Sequence, residues 1–348
     1  MERTLPKTLA AATDPAWLTT ALAEVTGGAT VTGVDIVEVQ RTMATKVRFV
    51  AHWDGSGKHE AGQGAFCLKA FLDMEAASSG AGTVGMTECD FYAEIAPKLT
   101  VRVPTPVATL VDRPGKHGVL IMRDLVAAGA RFCTALEPLT ADQAAASLDQ
   151  LARLHAGHAL LDRLPWLGHQ VSVFAQGNFI AEPSLQELLD GPRGEGLDAD
   201  TRSAGRLLSG LKALAEHDRS QPATLVHGDC HGGNLFHTAD GFGLIDWQLL
   251  QRGNWALDVA YHIAAVLPIA VAEHEERRLF EEYLARARHH GSETPAFDAA
   301  WEQYARASVW GYFLWAITRR VDPAIINIFV NRLGSAVSRH QAYRRLGL

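Results

Sequence analysis

The first third of the chain follows the two-residue period of half-buried strands. The runs VDIVEVQ (34–40), TKVRFVAHW (45–53) and GAFCLKAFL (64–72) alternate or run apolar with β-branched residues. Polar, Gly-rich stretches such as DGSGKHEAGQG (54–64) separate them. A helical segment follows at GMTECDFYAEIAPKL (85–99), closed off by Pro104. Two further strands are expected at PTPVATLVD (104–112) and GVLIMRDL (118–125), joined by the turn RPGKHG. The order is β-β-β-α-β-β. From Thr140 the apolar period lengthens to that of helices, and Thr140 and Gln143 stand at capping-box spacing. The Gly- and Asp-containing stretch LDGPRGEGLDADTRSAG (189–205) is expected to link helices or form a lid. A short β segment at 225–248 interrupts the helices, which then continue to the end. The pattern predicts an α+β chain with a small antiparallel N-terminal lobe at 1–122 and a larger, mainly helical lobe at 123–348.

Composition narrows the function classes. The 348 residues include 32 Lys and Arg against 39 Asp and Glu, so no global electrostatic footprint for nucleic acid exists. Cys67, Cys89, Cys133 and Cys230 lack C-x-x-C spacing and read as reduced cytosolic thiols. The N-terminal stretch lacks a signal-peptide core, because Asp14 and Pro15 interrupt its apolar run; it reads as a leading helix capped by Thr13 or Asp14. The most apolar window, WALDVAYHIAAVLPIAVAE (255–273), contains Asp258, His262 and Pro268, and is expected to be a buried helix pair and no membrane span. A soluble cytoplasmic protein with a small-molecule partner is the expectation; nothing here sets an oligomeric state.

The chemistry concentrates in LVHGDCHGGNLFHTADGFGLIDWQ (225–248). Transferring a phosphoryl group to a hydroxyl needs a carboxylate that orients the hydroxyl and accepts its proton, and Mg²⁺ held by hard oxygen ligands. Asp229 can be that base. Asn234 can reach a metal from the other end of the loop, and Asp246, closing FGLID, can be the main Mg²⁺ ligand. Upstream, FCLKAF places Lys69 in an apolar strand, where an ammonium is costly unless an anion meets it.

HGDCHGGN followed by LIDW resembles the catalytic and metal-binding loops of the aminoglycoside phosphotransferase and choline kinase-like family, with the pattern H-G-D-x-H-x-x-N then I-D-[WF]. The resemblance implies a two-lobed protein-kinase-like fold, ATP and Mg²⁺ as cofactors, and a small-molecule hydroxyl as acceptor. It extends to GNWALDVAYHI (253–263), where it makes Asp258 a structural acid that caps the helix and supports the catalytic loop. It makes Lys69 the phosphate-pairing lysine, with Glu88 of TECDFYAEIAP as its partner ahead of Glu94. It places the adenine-binding hinge at LIMRDL, with backbone groups from Met122 to Leu125 meeting the base and Arg123 and Asp124 fixing the turn. His155 of LARLHA becomes structural, and His227 braces the loop, while His231 braces it or lines the active site. His158, His237 and His262 are taken as surface or packing histidines. The turn in VEVQRTMATKVRF has no glycine, so Thr42, Thr45 and backbone N–H groups are what could approach the phosphates there.

GDCHGGN also fits part of a metallophosphoesterase pattern, but no D-x-H precedes it and Leu235 follows Asn234, so that reading fails. A non-catalytic nucleotide-binding protein on the same frame, or an aminoglycoside or macrolide phosphotransferase, remain alternatives. The segment after Gly291 carries more Arg than acid and several aromatics. That suits a neutral or partly apolar alcohol, or one whose acid group meets Arg319 or Arg320. Choline-like acceptors could bind through cation–π contact. TECDFYAEIAP also resembles the ecdysteroid kinase-like branch, which implies bulky hydroxylated acceptors.

Overall fold

Alternation in the first third resolves into one antiparallel sheet. In the computed structural model, which describes residues 5–55, 61–73 and 81–348, the strands are β1 (Val31–Arg41), β2 (Thr45–Trp53), β3 (Gly62–Ala70), β4 (Pro106–Asp112) and β5 (His117–Arg123). Their order is β1-β2-β3-β5-β4. The centre of the turn expected at 54–64, residues 56–60, lies outside the described residues. Helix α1 (Ala81–Asp90) runs on through a π-helical segment, Phe91–Ile95, and a 3₁₀ turn, Ala96–Lys98. The expected β-β-β-α-β-β order is therefore observed.

The chain divides into two compact units, Met1–Lys98 with Val103–Arg131, and Leu99–Arg102 with Phe132–Leu348. In the first, the two-residue period sorts the sheet's faces. Val47, Phe49 and Ala51 of β2, Phe66 and Leu68 of β3, and Val119 and Ile121 of β5 are buried together with Leu18 and Leu22 of the N-terminal helical turns. Asp14 caps the second of these, Pro15–Ala21, by accepting from the Trp17 N–H, with Pro15 as its first residue; Leu9–Ala12, capped by Thr8, precedes it. Lys69, between Leu68 and Ala70, must then point to the opposite face, the side of the sheet that meets α1 along β5.

The second unit begins with α2 (Ala141–His155), whose capping box is complete: Thr140 accepts from the Gln143 N–H and Gln143 from the Thr140 N–H. Helices α3 (Gln170–Gln176), α4 (Glu182–Asp190) and α5 (Ala204–Ser220) follow. The 189–205 stretch links α4 to α5. Strand β6 (Thr224–Val226) pairs antiparallel with β9 (Gln251–Gly253), and β7 (Leu235–Thr238) with β8 (Gly241–Leu244) forms the intervening hairpin. Next come α6 (Ala256–Val266) and α7 (Ile269–His289), separated at Pro268 as expected for a buried helix pair. Helices α8 (Phe297–Ile317) and α9 (Pro323–Arg339) complete the packing around α6. The 189–205 stretch is fastened to these last two: the Tyr312 hydroxyl donates to the Thr201 carbonyl (2.9 Å) and the Asn331 amide to the Arg193 carbonyl (3.2 Å). Among the described residues no helix is long and apolar enough to cross a membrane.

Candidate active site

The 225–248 segment is built as two loops flanking a hairpin. Strand β6 leads into His227-Gly228-Asp229, and Gly228 takes φ +82°, where a Cβ would overlap the Leu249 carbonyl. Only glycine fits that turn. The hairpin begins at Leu235 and ends at Leu244, which are cross-strand partners, so the residues just outside it are brought side by side. The Ile245 N–H donates to the Asn234 carbonyl at 3.0 Å. Asn234 and Asp246 thus share the open end of the hairpin. Asp246 sits at φ 67°, ψ 71°, a left-handed conformation that is uncommon outside glycine and is enriched where function sets the geometry. The closed end carries Asp240 and Gly241. It is gripped by Arg102, whose guanidinium donates to the Gly241 carbonyl (2.5 Å) and whose own carbonyl accepts from the Leu244 N–H (2.9 Å).

Asp229 is held by side-chain donors. The Tyr261 hydroxyl donates to Oδ1 at 2.9 Å and the Asn234 amide to Oδ2 at 3.1 Å and to the Asp229 carbonyl at 2.7 Å. The His231 ring lies 3.6 Å from Oδ2, and the carboxylate remains 27 % exposed. Burial alone would raise this carboxyl, and Asp246 pushes the same way; the nearby His231 reverses the balance and leaves it below its ordinary value. Asp229 is ionised at neutral pH. Burial, followed by the Asp229 charge, pushes the Tyr261 hydroxyl well above its ordinary value, so it stays a donor. Trp315 donates its indole N–H to the Tyr261 hydroxyl at 2.6 Å, and Trp310 donates to the Gly228 carbonyl at 2.8 Å.

Fully buried Asp258 holds the loop from beneath. It accepts from the His227 N–H (2.7 Å), the Gly228 N–H (2.8 Å) and His155 Nε2 (3.1 Å), whose Nδ1 meets the Tyr283 hydroxyl at 2.7 Å. The expected support of the loop is present, but the expected capping of α6 is not. Asn254 accepts from the Ala256 N–H (2.9 Å) at that helix start, while Asp258 lies inside the first turn with its carboxylate turned to the loop. His227 braces as expected: Nε2–H donates to the Ile245 carbonyl (3.0 Å) and Nδ1 accepts from the Asp229 N–H (3.2 Å). His231 Nδ1 accepts from the Gly233 N–H (3.0 Å), and its ring packs on Trp315 and Phe329, so it both braces and lines.

Whether these residues suit Mg²⁺ can be judged from the donor set. No group of three or more His, Cys, Asp or Glu side chains converges among the described residues. Mg²⁺ bound with a nucleotide needs only one or two protein oxygens, the rest coming from phosphate and water. Both hydrogen bonds of the Asn234 amide nitrogen go to Asp229, which fixes the amide orientation, and its oxygen accepts nothing among the described residues. At the shared open end of the hairpin, Asn234 and Asp246 offer an amide oxygen and a carboxylate, a donor set that fits this need.

In the first unit, Lys69 Nζ meets Glu88 Oε2 at 2.7 Å, with side chains 5 % and 4 % exposed. The ion pair joins β3 to α1. Lys46 of β2 stands in register with Lys69, two cations on one face. At the end of β5, Asp124 accepts from Arg48 Nε (3.0 Å) and from the Val126 N–H (2.9 Å), which fixes the turn, and Arg123 lies over the Phe66 ring at 5.1 Å. The turn uses the Asp124 and Leu125 carbonyls internally, for Ala128 and Ala130, while the Leu125 N–H donates to nothing among the described residues. Met122 pairs with Cys67 and Pro106 in the sheet. Thr42 spends both its N–H (3.1 Å) and its hydroxyl (3.3 Å) on the Ala44 carbonyl.

Tyr261 and Lys46 went unnoticed in the sequence, whereas VWGYFLWAI (309–317), with Trp310 and Trp315, reads as a core helix first and a substrate wall second. Tyr261 had a signal, since it lies one turn after Asp258 on the same helical face.

His262 underlies the loop as a packed, neutral imidazole: Nδ1–H donates to the Cys230 carbonyl (2.7 Å) and Nε2 lies 2.7 Å from the Ser147 hydroxyl. Burial drives it down from 6.5 to about 4. Below 6.5 the unfolded chain binds a proton that the folded chain refuses, so stability falls as pH drops to about 4 and this contribution then levels off. The expected loss over that window is about 3 kcal/mol. Urea unfolding of the native and His262→Gln chains at pH 7 and 5 checks it: the variant should lose less between the two, and equal losses would place the titration elsewhere.

Comparison with known proteins agrees with this geometry. The family model described as the phosphotransferase enzyme family, APH, matches residues 85–306. The thiamine kinases of Escherichia coli K12 and Shigella flexneri are 38 % identical over 80 residues, which is 22 % of this chain and 27 % of theirs. The chain therefore matches about a quarter of the length of these curated relatives. A candidate aminoglycoside phosphotransferase from Ralstonia eutropha JMP134 superposes with TM-score 0.53 at 14 % identity, over 94 % of this chain and 98 % of that one. A microcompartment-associated aminopropanol kinase gives 0.52 at 15 %, over 94 % and 97 %. These two share the expected protein-kinase-like α+β fold. With the family model covering well over half of its length, the chain belongs to the phosphotransferase enzyme family, APH.

Proposed function

We propose that the protein is an ATP- and Mg²⁺-dependent small-molecule kinase that transfers the γ-phosphoryl group to an acceptor hydroxyl. The observation that carries this reading is the ionised Asp229, fixed by Tyr261 and by Asn234, which shares the open end of the hairpin with Asp246. Asp229 orients the acceptor hydroxyl and takes its proton as the phosphoryl group leaves the nucleotide. A carboxylate held below its ordinary value suits a step in which proton transfer is late and positioning does most of the work. Asn234 and Asp246 are the residues that would hold Mg²⁺, which when bound neutralises phosphate charge. Lys69, kept in place by Glu88, meets phosphate oxygens. The Leu125 N–H is the backbone group of the Met122–Leu125 hinge left to donate to adenine, with Arg123 and Asp124 shaping that turn. At the glycine-free turn the Thr42 N–H and hydroxyl are both engaged by the Ala44 carbonyl, so Thr42 offers the phosphates no free donor. The rings of His231, Trp315 and Phe329 beside Asp229 favour a partly apolar alcohol as acceptor.

Asp229→Asn keeps the shape and removes the base, so kcat should fall by roughly 10²–10⁴-fold. Fluorescent-ATP binding should stay close to native. Full turnover in the variant, followed by ADP release over a panel of alcohols, would remove Asp229 from the mechanism. Tyr261→Phe deletes the Oδ1 hydrogen bond and strands the buried Trp315 N–H; the expected result is lower kcat with an unchanged KM for ATP, and a stability loss of about 1–3 kcal/mol. Native kcat in that variant would show that the Tyr261 hydroxyl is only structural.

A further inference from the structure

We infer that Lys46 is a second phosphate-binding lysine, which grips the nucleotide's phosphate chain together with Lys69; this rests on the kinase reading above. Only seven of the chain's 32 basic residues are lysines, and two of them are direct partners across β2 and β3. Directly opposite residues of an antiparallel pair hold their Cβ atoms about 5 Å apart on the same face. Val47 and Phe49 of β2 and Phe66 and Leu68 of β3 point into the core, so Lys46 and Lys69 both leave the sheet on its other face. Like charges set opposite each other destabilise a sheet. Glu88 meets the Lys69 ammonium at 2.7 Å and offsets part of that cost. A phosphate chain goes further, because its charge is spread over several oxygens and two neighbouring ammonium groups can meet it at once.

The adjoining turn explains why a side chain takes this task. Arg41 and Thr45 close the β1–β2 hairpin, and Lys46 is the next residue of β2. The hydroxyls of the turn are spent: Thr42 on the Ala44 carbonyl and Thr45 on the Leu72 carbonyl, at 3.4 Å. Met43 and Ala44 have no polar side chain. With no glycine among residues 41–45, a Cβ stands at every position where the backbone would have to approach an anion closely. Arg48 shares the face of Lys46 but is committed elsewhere, to Glu38 (2.9 Å) and Asp124 (3.0 Å). The bland alternative makes Lys46 a solvated strand residue whose stem covers the sheet. It accounts for the half-buried stem, which any long side chain would also provide. It gives no reason for an ammonium set against Lys69 at the residue where the turn's own donors run out.

The test is calorimetric titration of the native, Lys46→Gln and Lys46→Arg chains with ATP, adenosine and inorganic tripolyphosphate, each in the presence of Mg²⁺. Lys46→Gln should weaken ATP and tripolyphosphate by roughly 10–100-fold, as expected for the loss of one charge-assisted hydrogen bond, and leave adenosine unchanged. Lys46→Arg keeps the charge and should retain most of the ATP affinity. A merely structural Lys46 would not separate the ligands, so an equal loss of ATP and adenosine binding overturns the inference. ATP bound at native strength by Lys46→Gln upholds the nucleotide reading and overturns the second lysine. A native protein that binds neither ATP nor adenosine overturns the kinase reading and the inference with it.

Discussion

The hydrogen bonds converging on the Asp258 carboxylate are what the rest of the second unit is arranged around. An ionised carboxylate buried without donors costs several kcal/mol. Here the donors are backbone N–H groups of His227 and Gly228, together with the His155 ring, so the charge and the loop stabilise one another. Burial would raise the Asp258 carboxyl; the His155 hydrogen bond and charge, with help from His227 and the Gly228 N–H, bring it below its ordinary value. The consequence is positional. Two successive backbone N–H groups aimed at one carboxylate fix the path of residues 227–228, and Asp229 is the next residue. Cys230 is drawn into the same arrangement, its thiol 3.1 Å from the Asp258 carbonyl and pushed well above its ordinary value by burial. It is a packed, protonated group there and no nucleophile.

From this fixed point the hairpin sets the remaining geometry. A four-residue strand out and a four-residue strand back return the chain to where it left, and the Ile245 N–H closes the gap to Asn234. Residues twelve apart in sequence become neighbours with no long-range folding requirement. Strain appears where such economy predicts it, at Asp246, whose left-handed backbone turns the chain away from the strand direction two residues past the strand's end. Arg102 contributes at the far end by tying the turn to a segment that precedes α2. The hairpin therefore cannot pivot without breaking those bonds.

This compactness also explains which parts could be read from the chain. The order of elements along the chain was legible because alternation in 45–53 and 64–72 is nearly regular, and the starts at Asp14 and Thr140 because cap chemistry is local. The break at Pro268 was legible for the same reason. Asp229, Asn234 and Asp246 stood out because one short segment carries all three. Tyr261 did not, and Trp315 stood out only as a core residue first and a substrate wall second, since both lie in apolar helices where every large side chain reads as core. Their burial is indeed core-like, and only the tertiary fold shows that the Tyr261 hydroxyl and the Trp315 N–H point the same way. Asp258 was misread in part for a related reason. An acid at a helix start resembles a cap, yet Asn254 performs that task and frees the carboxylate to reach a loop thirty residues earlier.

The helical wall around Asp229 reconciles two requirements that oppose each other. The partly apolar acceptor proposed above calls for aromatic surface, while an ionised carboxylate calls for polar donors, and bare aromatic walls would drive its carboxyl upward. Tyr261 and Trp315 meet both, because each offers an apolar ring for packing and one polar atom at the tip. Their tips are arranged in series, indole to hydroxyl to carboxylate, so every buried donor has an acceptor and the chain of bonds ends on the charge. Gly311 makes room for this by omitting a side chain where the Tyr261 ring lies against α8. The ring is thereby locked in position, and its hydroxyl orients Asp229 without adding a charge beside it. A lysine or arginine in the same place would pair with Asp229 directly and, on the proposed function, compete with the acceptor hydroxyl.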